Sequence, residues 1–276
     1  MKNNCKHRFF QLISVVMLFT LLLVGCDSVA KNKNTVTDDE DFMPVMGKPM
    51  ESGTTGNSDS SGKKRVAITF DDGPHNVYTK KIVDELAKYG AHATFFVIGN
   101  RVDGTEYNGK AGLEYAIQNG NEIGIHGYTH KKYYNKCSDD EYKYELSSTA
   151  AAIRSVSPSA NVKLMRPIGG AITDARVSSC SYSVIMWDVD SEDWKNKYSG
   201  NESEAERRAI AERIANNVIS NVKDGSIILM HDIYGSTYDA LAIVLEQLYA
   251  EGYEVVTVSE LIGSDLHSGE KYFSGR

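Results

Sequence analysis

The sequence is poor in cysteine, with four in 276 residues, and it lacks the C-x-x-C and C-x-x-H spacings that are typical of zinc-thiolate sites. It also lacks a basic patch outside its first residues, and its formal net charge is -7. Proteins that bind nucleic acid usually carry a strongly basic surface, so we expect no nucleic-acid partner. Hydrophobic residues make up 41% of the chain, which suits a folded protein rather than a disordered one.

The first 25 residues have the make-up of a secretory signal. Three basic residues precede an apolar run from Leu12 to Val24, which is too short for a permanent membrane span. The ending LVGC resembles a bacterial lipobox, in which the signal is cut before the cysteine. We therefore expect residues 1–25 to be a lipoprotein signal peptide and Cys26 to be lipidated, with a plain signal peptide or an uncleaved anchor as the alternatives. The expected location is extracytoplasmic, with the lipid anchored to the bacterial cell membrane.

Composition divides the rest of the chain into three segments. Residues 26–64 have too few large apolar residues to form a core, so we expect a disordered tether. Between residues 65 and 262, short apolar strands alternate with amphipathic helix patterns, which predicts one domain. Residues 263–276 are expected to be a disordered tail. The domain contains Cys137 and Cys180, and the sequence leaves open whether they form a disulfide.

Seven predicted strands alternate with helices in this domain, which predicts a parallel α/β architecture. The number of strands favours an incomplete barrel over an open sheet. Ser138 and Glu141 form a capping box at the start of a helix that runs to about Arg154, and Gly90 and Gly120 are placed to end two earlier helices. The predicted strands cover residues 65–70, 93–99, 121–126, 162–166, 182–190, 226–232 and 253–258, and the other predicted helices cover residues 77–89, 111–119, 203–222 and 237–250.

Polar residues with chemical potential lie at the ends of five predicted strands. Asp71 and Asp72 follow the first strand, His126 and His130 follow the third, and Arg166 ends the fourth. Because the carboxyl ends of such strands converge on one face, we expect these side chains to form one site. The fifth and sixth strand ends add Asp188, Asp190, Asp193, Trp187, Trp194, His231 and Asp232.

An aspartate with two histidines is a suitable ligand set for a divalent metal ion, with positions left for water and substrate. His126 and His130 are four residues apart, so both imidazoles can face one ion. Only one of the neighbouring aspartates can be a ligand if the other acts as a base, since adjacent side chains of an extended chain point to opposite sides. Zinc is the expected metal, with cobalt, nickel and manganese as alternatives.

Five motifs resemble, in order, those of the polysaccharide deacetylases, also called the NodB-homology or carbohydrate esterase family four domain. They are TFDDGP (69–74), HGYTH (126–130), RPIGG (166–170), DSEDW (190–194) and LMHD (229–232), and the resemblance covers about residues 65–262. It implies an α/β fold, a distorted (β/α) barrel with seven or eight strands. It also implies the hydrolysis of acetyl groups on a glycan.

The resemblance further implies a role for each motif residue. Asp71 is implied as the general base, His231 as the general acid and Arg166 as the residue that holds the base in place. An aspartate of the fourth motif would pair with His231, and the sequence leaves open which one. The implied sets are Asp72, His126 and His130 for the metal, Asp71, Arg166, His231 and either Asp190 or Asp193 for catalysis, and Gly169, Trp194 and Leu229 for the substrate.

The third motif departs from the family pattern. It usually reads Arg-x-Pro-aromatic-Gly, whereas here Ile168 replaces the proline and Gly169 replaces the aromatic residue. We expect the loss of an aromatic wall beside the sugar to change substrate preference rather than reaction type. A glycine there would also open room for the lactyl-peptide of a neighbouring muramyl residue. Four tyrosines after the second motif either line a sugar groove or pack on a helix face: Tyr133, Tyr134, Tyr142 and Tyr144.

Taken together, these patterns predict an exported, metal-dependent hydrolase that removes N-acetyl groups from cell-surface glycan. N-acetylglucosamine of peptidoglycan is the expected target, because the protein is expected at the cell surface. The alternatives are an O-acetyl esterase acting on xylan, a chitooligosaccharide deacetylase, and a catalytically silent carbohydrate-binding homologue. The expected partners are the glycan and, through the lipid, the membrane, and we expect a monomer.

Overall fold

The computed structural model of this chain describes residues 62–104 and 108–276. The predicted signal peptide, Cys26 and nearly all of the predicted tether lie outside these residues, so their structure is not described. Within this part of the chain, none of the helices combines the length and the apolar content that a membrane span requires.

Nine strands occur in the part that is described, and every pairing between them is parallel. Their bounds are β1 (Lys64–Asp71), β2 (Thr94–Val97), β3 (Glu122–Ile125), β4 (Leu164–Met165), β5 (Ser183–Ile185), β6 (Val189–Asp190), β7 (Ile227–His231), β8 (Tyr253–Val255) and β9 (Lys271–Tyr272). The sheet order is β6-β7-β1-β2-β3-β4-β5-β9, and β8 pairs with β1. The sheet curls into an open, distorted (β/α) barrel, as predicted.

The predicted strand over residues 182–190 is in fact two strands at opposite ends of the sheet. β5 pairs with β4 and β9, whereas β6 pairs with β7. Between them, the carbonyl groups of Ile185 and Met186 accept hydrogen bonds from the Arg166 guanidinium at 3.1 and 2.9 Å. These carbonyls therefore bind a side chain instead of a neighbouring strand. The chain crosses the opening of the barrel at this point.

The five predicted helices form close to their predicted bounds, and three unpredicted helices of five residues each occur in addition. Helix α4 begins after Ser138, whose side chain and that of Glu141 complete the predicted capping box. Gly90 and Gly120 follow two helix ends with φ of 62° and 76°, a backbone region that glycine adopts readily. The helix bounds are α1 (Tyr78–Ala87), α2 (Gly99–Asp103), α3 (Lys110–Gln118), α4 (Asp139–Val156), α5 (Asp174–Ser178), α6 (Glu204–Ile219), α7 (Gly235–Ala250) and α8 (Val258–Ile262).

The prediction of a disordered tail over residues 263–276 is wrong. β9 adds a strand next to β5, and Ser274 forms a bridge with Ser226 just before β7. The Arg276 guanidinium donates to Asp188 Oδ2 at 2.5 Å. The polar composition hid this order, because backbone pairing, two ion pairs and the packing of only two large apolar side chains, Leu266 and Tyr272, hold the segment.

The two cysteines of the domain are free thiols, so the disulfide that the sequence left open is not formed. Arg176 Nη1 lies 3.2 Å from Cys137 Sγ. Cys180 is buried in the hydrophobic core. A buried free cysteine packs as a small apolar residue.

The strand register brings the site residues to the same edge of the sheet. Asp71 at the end of β1 is paired with His231 on β7 and with Phe96 on β2. Ile125 on β3 is paired with Met165 on β4, so the next residues, His126 and Arg166, leave the sheet at matching positions. The chemistry-bearing residues therefore meet at the carboxyl edge of the sheet.

Candidate active site

A buried arginine holds the carboxylate of Asp71. Arg166 Nη1 donates to Asp71 Oδ1 at 2.9 Å and to Thr69 Oγ1 at 2.6 Å. The guanidinium is fully buried and lies over the ring of Phe96, 4.3 Å from its centroid. Burial lowers the pKa of Arg166, and the Asp71 carboxylate opposes that change. Since Arg166 binds Oδ1, the other oxygen of Asp71 faces the histidines, 3.7 Å from His126 Nε2.

Asp72, His126 and His130 bring three possible metal-ligand atoms within 4.8 Å of one another. Asp72 Oδ1 lies 3.1 Å from His130 Nε2 and 3.5 Å from His126 Nε2. This oxygen is buried and accepts no well-aligned hydrogen bond from the described residues. A buried carboxylate oxygen without a donor is costly unless a cation compensates it, so the three residues fit a divalent metal ion.

The protonation preferences of Asp72 and His126 suit metal binding, whereas the raised pKa of His130 favours its protonated form until a metal ion displaces the proton. Burial alone would raise the pKa of Asp72, but the two histidines outweigh it and hold that pKa well below its usual range. Burial lowers the pKa of His126 in spite of both aspartates, whereas Asp72 raises the pKa of His130 against the effect of burial. His126 Nδ1 lies 2.9 Å from the Arg166 carbonyl. Because a carbonyl only accepts, Nδ1 carries the proton and Nε2 keeps its lone pair for a metal.

Two of the three ligand residues have left-handed backbone. The φ angles are 72° at Asp72 and 56° at His130. Residues with a side chain rarely adopt this region, and each instance costs about 1–3 kcal/mol. Such strain persists only where the surroundings enforce it, and it concentrates at functional sites.

Glu145 on α4 holds the segment that carries the two histidines. Its carboxylate accepts hydrogen bonds from the backbone N–H groups of Tyr128 and Thr129, at 2.6 and 2.8 Å, and from the Thr129 hydroxyl. No sequence pattern indicates this role of Glu145, because the residue lies in mid-helix and belongs to no motif. Thr69 belongs to the first motif, but only the fold shows that its hydroxyl accepts a hydrogen bond from Arg166.

His231 is paired with Asp193, which decides between the two aspartates that the sequence left open. Asp193 Oδ1 lies 2.7 Å from His231 Nδ1, and Oδ2 accepts hydrogen bonds from the His231 backbone and from Thr237 Oγ1, both at 2.7 Å. Asp190 Oδ1 instead accepts from the Glu192 backbone at 2.8 Å. Burial lowers the pKa of His231, but Asp193 more than offsets this, and the pKa is raised to about 9.

The residues expected at the substrate lie on three separate segments. Trp194 follows Asp193 and is 45% exposed. Leu229 is buried on β7, two residues before His231 and so on the same face of the strand. Gly169 has a φ of 56° in the turn that follows β4.

The open space expected beside Gly169 is occupied. A Cβ atom at this glycine would lie 2.9 Å from Cε1 of the Tyr133 ring. Tyr133, from the loop after β3, therefore places an aromatic ring next to the position where the family has its aromatic residue. Tyr134 and Tyr142 are buried in the core and belong to helix packing, whereas Tyr133 and Tyr144 are about half exposed.

This arrangement is equipped for metal-assisted hydrolysis. The Asp71 carboxylate, a candidate base, and the His231 imidazolium, a candidate acid, lie on the neighbouring strands β1 and β7 at the same register position. The base can take a proton from water while the acid gives one to a leaving group. A divalent ion bound beside them would polarise the bond under attack.

Comparison with known proteins gives matches over most of the described residues. The family model for polysaccharide deacetylases matches residues 58–183. A peptidoglycan N-acetylmuramic acid deacetylase from Bacillus subtilis is 35% identical over 232 residues, which is 84% of this chain and 45% of that protein. The chain thus spans less than half the length of this relative. A peptidoglycan N-acetylglucosamine deacetylase from Bacillus cereus is 36% identical over 73% of this chain and 90% of its own length.

Solved structures also match this chain over most of its described residues. The peptidoglycan deacetylase PdaC from Bacillus subtilis superposes with a TM-score of 0.63 at 35% identity, covering 72% of this chain and 89% of that chain. A family 4 acetyl xylan esterase from Clostridium thermocellum, solved with a cobalt ion, gives 0.65 at 31% identity, covering 76% of this chain and 98% of that chain.

Proposed function

This chain belongs to the polysaccharide deacetylase family, and from that premise we propose that it is a metal-dependent hydrolase that removes N-acetyl groups from peptidoglycan. One observation carries the proposal: the base, the acid and all three ligand residues meet at one sheet edge, each with its supporting contacts. The relatives named above that act on peptidoglycan support the choice of substrate.

Asp72, His126 and His130 would hold the metal ion, and zinc is the ion we propose first. When a divalent ion is bound, Lewis acidity becomes available to acidify a water molecule and to polarise the acetyl carbonyl. Cobalt fits the same ligand types, and the Clostridium thermocellum esterase was solved with it.

The chain's own residues then move two protons. Asp71 takes a proton from the attacking water as the new carbon–oxygen bond forms, and Arg166 keeps the carboxylate oriented for this step. His231 Nε2 gives its proton to the sugar nitrogen as the carbon–nitrogen bond breaks. Without that proton an amine leaves poorly. The products are acetate and a free amino sugar.

O-deacetylation of xylan is a second candidate, because the acetyl xylan esterase shares this fold. The raised pKa of His231 favours the amide substrate, since it keeps the acid protonated at neutral pH. An alkoxide leaves more readily than an amide anion and depends less on such an acid. A catalytically silent homologue is disfavoured by the complete set of catalytic and ligand residues.

The test uses the purified protein, stripped of metal and reloaded with zinc or cobalt, and incubated with peptidoglycan, chitin oligomers or acetylated xylan. We expect metal-dependent release of acetate together with free amines from peptidoglycan. Asp71→Asn should lose about 10²–10⁴-fold in rate, whereas Asp190→Asn, which changes a strand-end aspartate without contact to His231, should keep most of the activity. No acetate from any glycan, with metal bound, would favour the binding-protein alternative.

We further propose that the protein is exported and lipid-anchored at Cys26, because the first 26 residues have the make-up of a lipoprotein signal. Cell fractionation of the Cys26→Ala variant tests this. We expect the variant to lose incorporation of labelled fatty acid and to leave the membrane fraction. Unchanged membrane association without fatty-acid label would point to an uncleaved anchor.

A further inference from the structure

A cavity lies beside the active site, next to His231. It has a volume of about 440 Å³. The Tyr234 ring forms the shared wall, with its centroid 5.9 Å from that of the His231 ring. We call this cavity the lysine pocket, and the residues that matter for its chemistry are Tyr78, Lys197, Tyr198, Glu202, Arg207 and Tyr234.

Two of the three charged side chains in the lysine pocket are already compensated. Glu202 accepts hydrogen bonds from the backbone N–H groups of Ser199 and Gly200. Arg207 Nη2 lies 3.3 Å from Asp239 Oδ2, and the Tyr198 hydroxyl donates to the same oxygen at 2.6 Å. Backbone N–H groups therefore compensate Glu202, and Asp239 compensates Arg207, without using Lys197.

Lys197 is the charge that remains. Its Nζ lies over the Tyr234 ring, 4.6 Å from the centroid. No carboxylate oxygen of the described residues lies within ion-pair distance of it. The ammonium lies beside Tyr234, with which it also forms a side-chain hydrogen bond, so its other two donors are available to a ligand.

The N-terminus of α7 also favours an anionic ligand in the lysine pocket. Tyr234 and Gly235, which line the pocket, are the N-cap and first residue of this 16-residue helix, and no side chain caps it. The first-turn amides of a helix favour negative charge. The ammonium and the helix terminus together favour an anionic ligand.

We infer that the lysine pocket binds a carboxylate on the sugar next to the acetylated one, which makes an anionic glycan the preferred substrate class. This inference rests on the proposed function. Peptidoglycan carries such groups, as the lactyl carboxylate of a peptide-free muramyl sugar or as the carboxylates of its peptide. Chitin and xylan backbones do not carry them at this position. Lys197 is then a specificity-determining residue rather than part of the proton-transfer machinery.

The test compares matched substrates with the zinc-loaded full chain. One substrate is a peptide-free tetrasaccharide of alternating N-acetylglucosamine and N-acetylmuramic acid. The second is the same tetrasaccharide with its carboxylates converted to methylamides, the third is its peptide-bearing form, and the fourth is chitotetraose. Lys197→Gln removes the charge, Lys197→Arg keeps it, and Lys195→Gln is the control, since Lys195 is exposed on the same segment and paired with Glu192 at 2.6 Å.

We expect Lys197→Gln to lower kcat/KM on a carboxylate-bearing substrate roughly fivefold more than on the methylamide, as is typical of an exposed ion pair. Lys197→Arg should restore the preference, Lys195→Gln should leave it in place, and 0.5 M salt should reduce it in the wild type. The peptide-free and peptide-bearing substrates show which carboxylate is bound. Equal losses on all four substrates, or none, would overturn the inference while leaving the deacetylase proposal intact. Absence of activity on every substrate would instead defeat the proposed function.

Discussion

Replacing Asp193 with asparagine should disable the general acid in a way that depends on pH. In the wild type, burial lowers the pKa of His231, but the hydrogen bond and charge of Asp193 raise it to about 9. Asparagine keeps the shape of the side chain and removes the charge. We therefore expect the pKa of His231 to fall toward its ordinary value of 6.5.

The size of the effect follows from that shift. The step from 6.5 to about 9 corresponds to about 3 kcal/mol in favour of the imidazolium. At pH 8, about nine-tenths of the protein then carries the acid proton in the wild type, but only about 3% does so in the variant. The rate at pH 8 should fall about thirtyfold for lack of acid alone. At pH 6 the same cause should remove little activity.

The assay is the pH profile of kcat/KM between pH 6 and 10, since that parameter reports the pKa values of the free enzyme. The alkaline limb should move from near 9 in the wild type to near 6.5 in Asp193→Asn. Asp190→Asn is the matched control, because Asp190 binds the Glu192 backbone instead of His231. An alkaline limb that stays near 9 in Asp193→Asn, or that moves in Asp190→Asn, would refute this reasoning.

The same pair makes a signed prediction for stability. The folded-state pKa of His231 is raised, so its contribution is fully present below pH 6.5 and is lost as the pH rises through 9. The free energy of unfolding of the wild type should therefore approach that of Asp193→Asn over this range, by up to about 3 kcal/mol. Urea denaturation of both proteins at pH 6 and pH 9.5 measures the change, and a gap that widens with pH would contradict it.

Three further predictions concern residues outside the proton path. Glu145→Gln should weaken metal binding about tenfold or more, because the loop that carries His130 loses acceptors, and competition with a chelator measures it. Ser203→Ala should remove the capping box of α6 at a cost of about 1 kcal/mol, seen as a Tm lower by about 2–4 °C. Tyr272→Ala should also lower Tm by at least about 2 °C, since its hydroxyl hydrogen-bonds the Asp265 carbonyl and the His267 backbone N–H. Phe273→Ala, at the exposed neighbouring residue, should not lower Tm. Equal Tm values for the two variants would support the prediction of a disordered tail.

The sequence predicted the features of this molecule that depend on residues close together in the chain. Apolar runs indicated the strands, the Ser138 capping box indicated the start of α4, and the polar strand ends indicated the residues that meet at the candidate site. These features are local, because a strand, a cap and a strand end each depend on a few neighbouring residues. They were sufficient for the barrel, since parallel strands bring their carboxyl ends together without further information.

The rest depended on how distant segments meet. Asp193 rather than Asp190 reaches His231 because Glu192 turns the chain with a φ of 54°, which no spacing rule states. Glu145 reaches the histidine loop from the middle of a helix. Tyr133 fills the space over Gly169 from another loop. In each case the partner lies on a separate element, so its identity follows from packing rather than from pattern.

The division of labour between Asp71 and Asp72 follows from where β1 ends. Asp71 is still extended and buried, in register with His231, so its carboxylate meets Arg166 behind the strand end. Asp72 is the first residue past the strand, and its φ of 72° turns its carboxylate toward His126 and His130. Side chains alternate along a strand, so a shift of one residue in the end of β1 would exchange the base and the ligand. The pairing of β1 with β7 through Asp71 therefore fixes the chemistry as well as the fold.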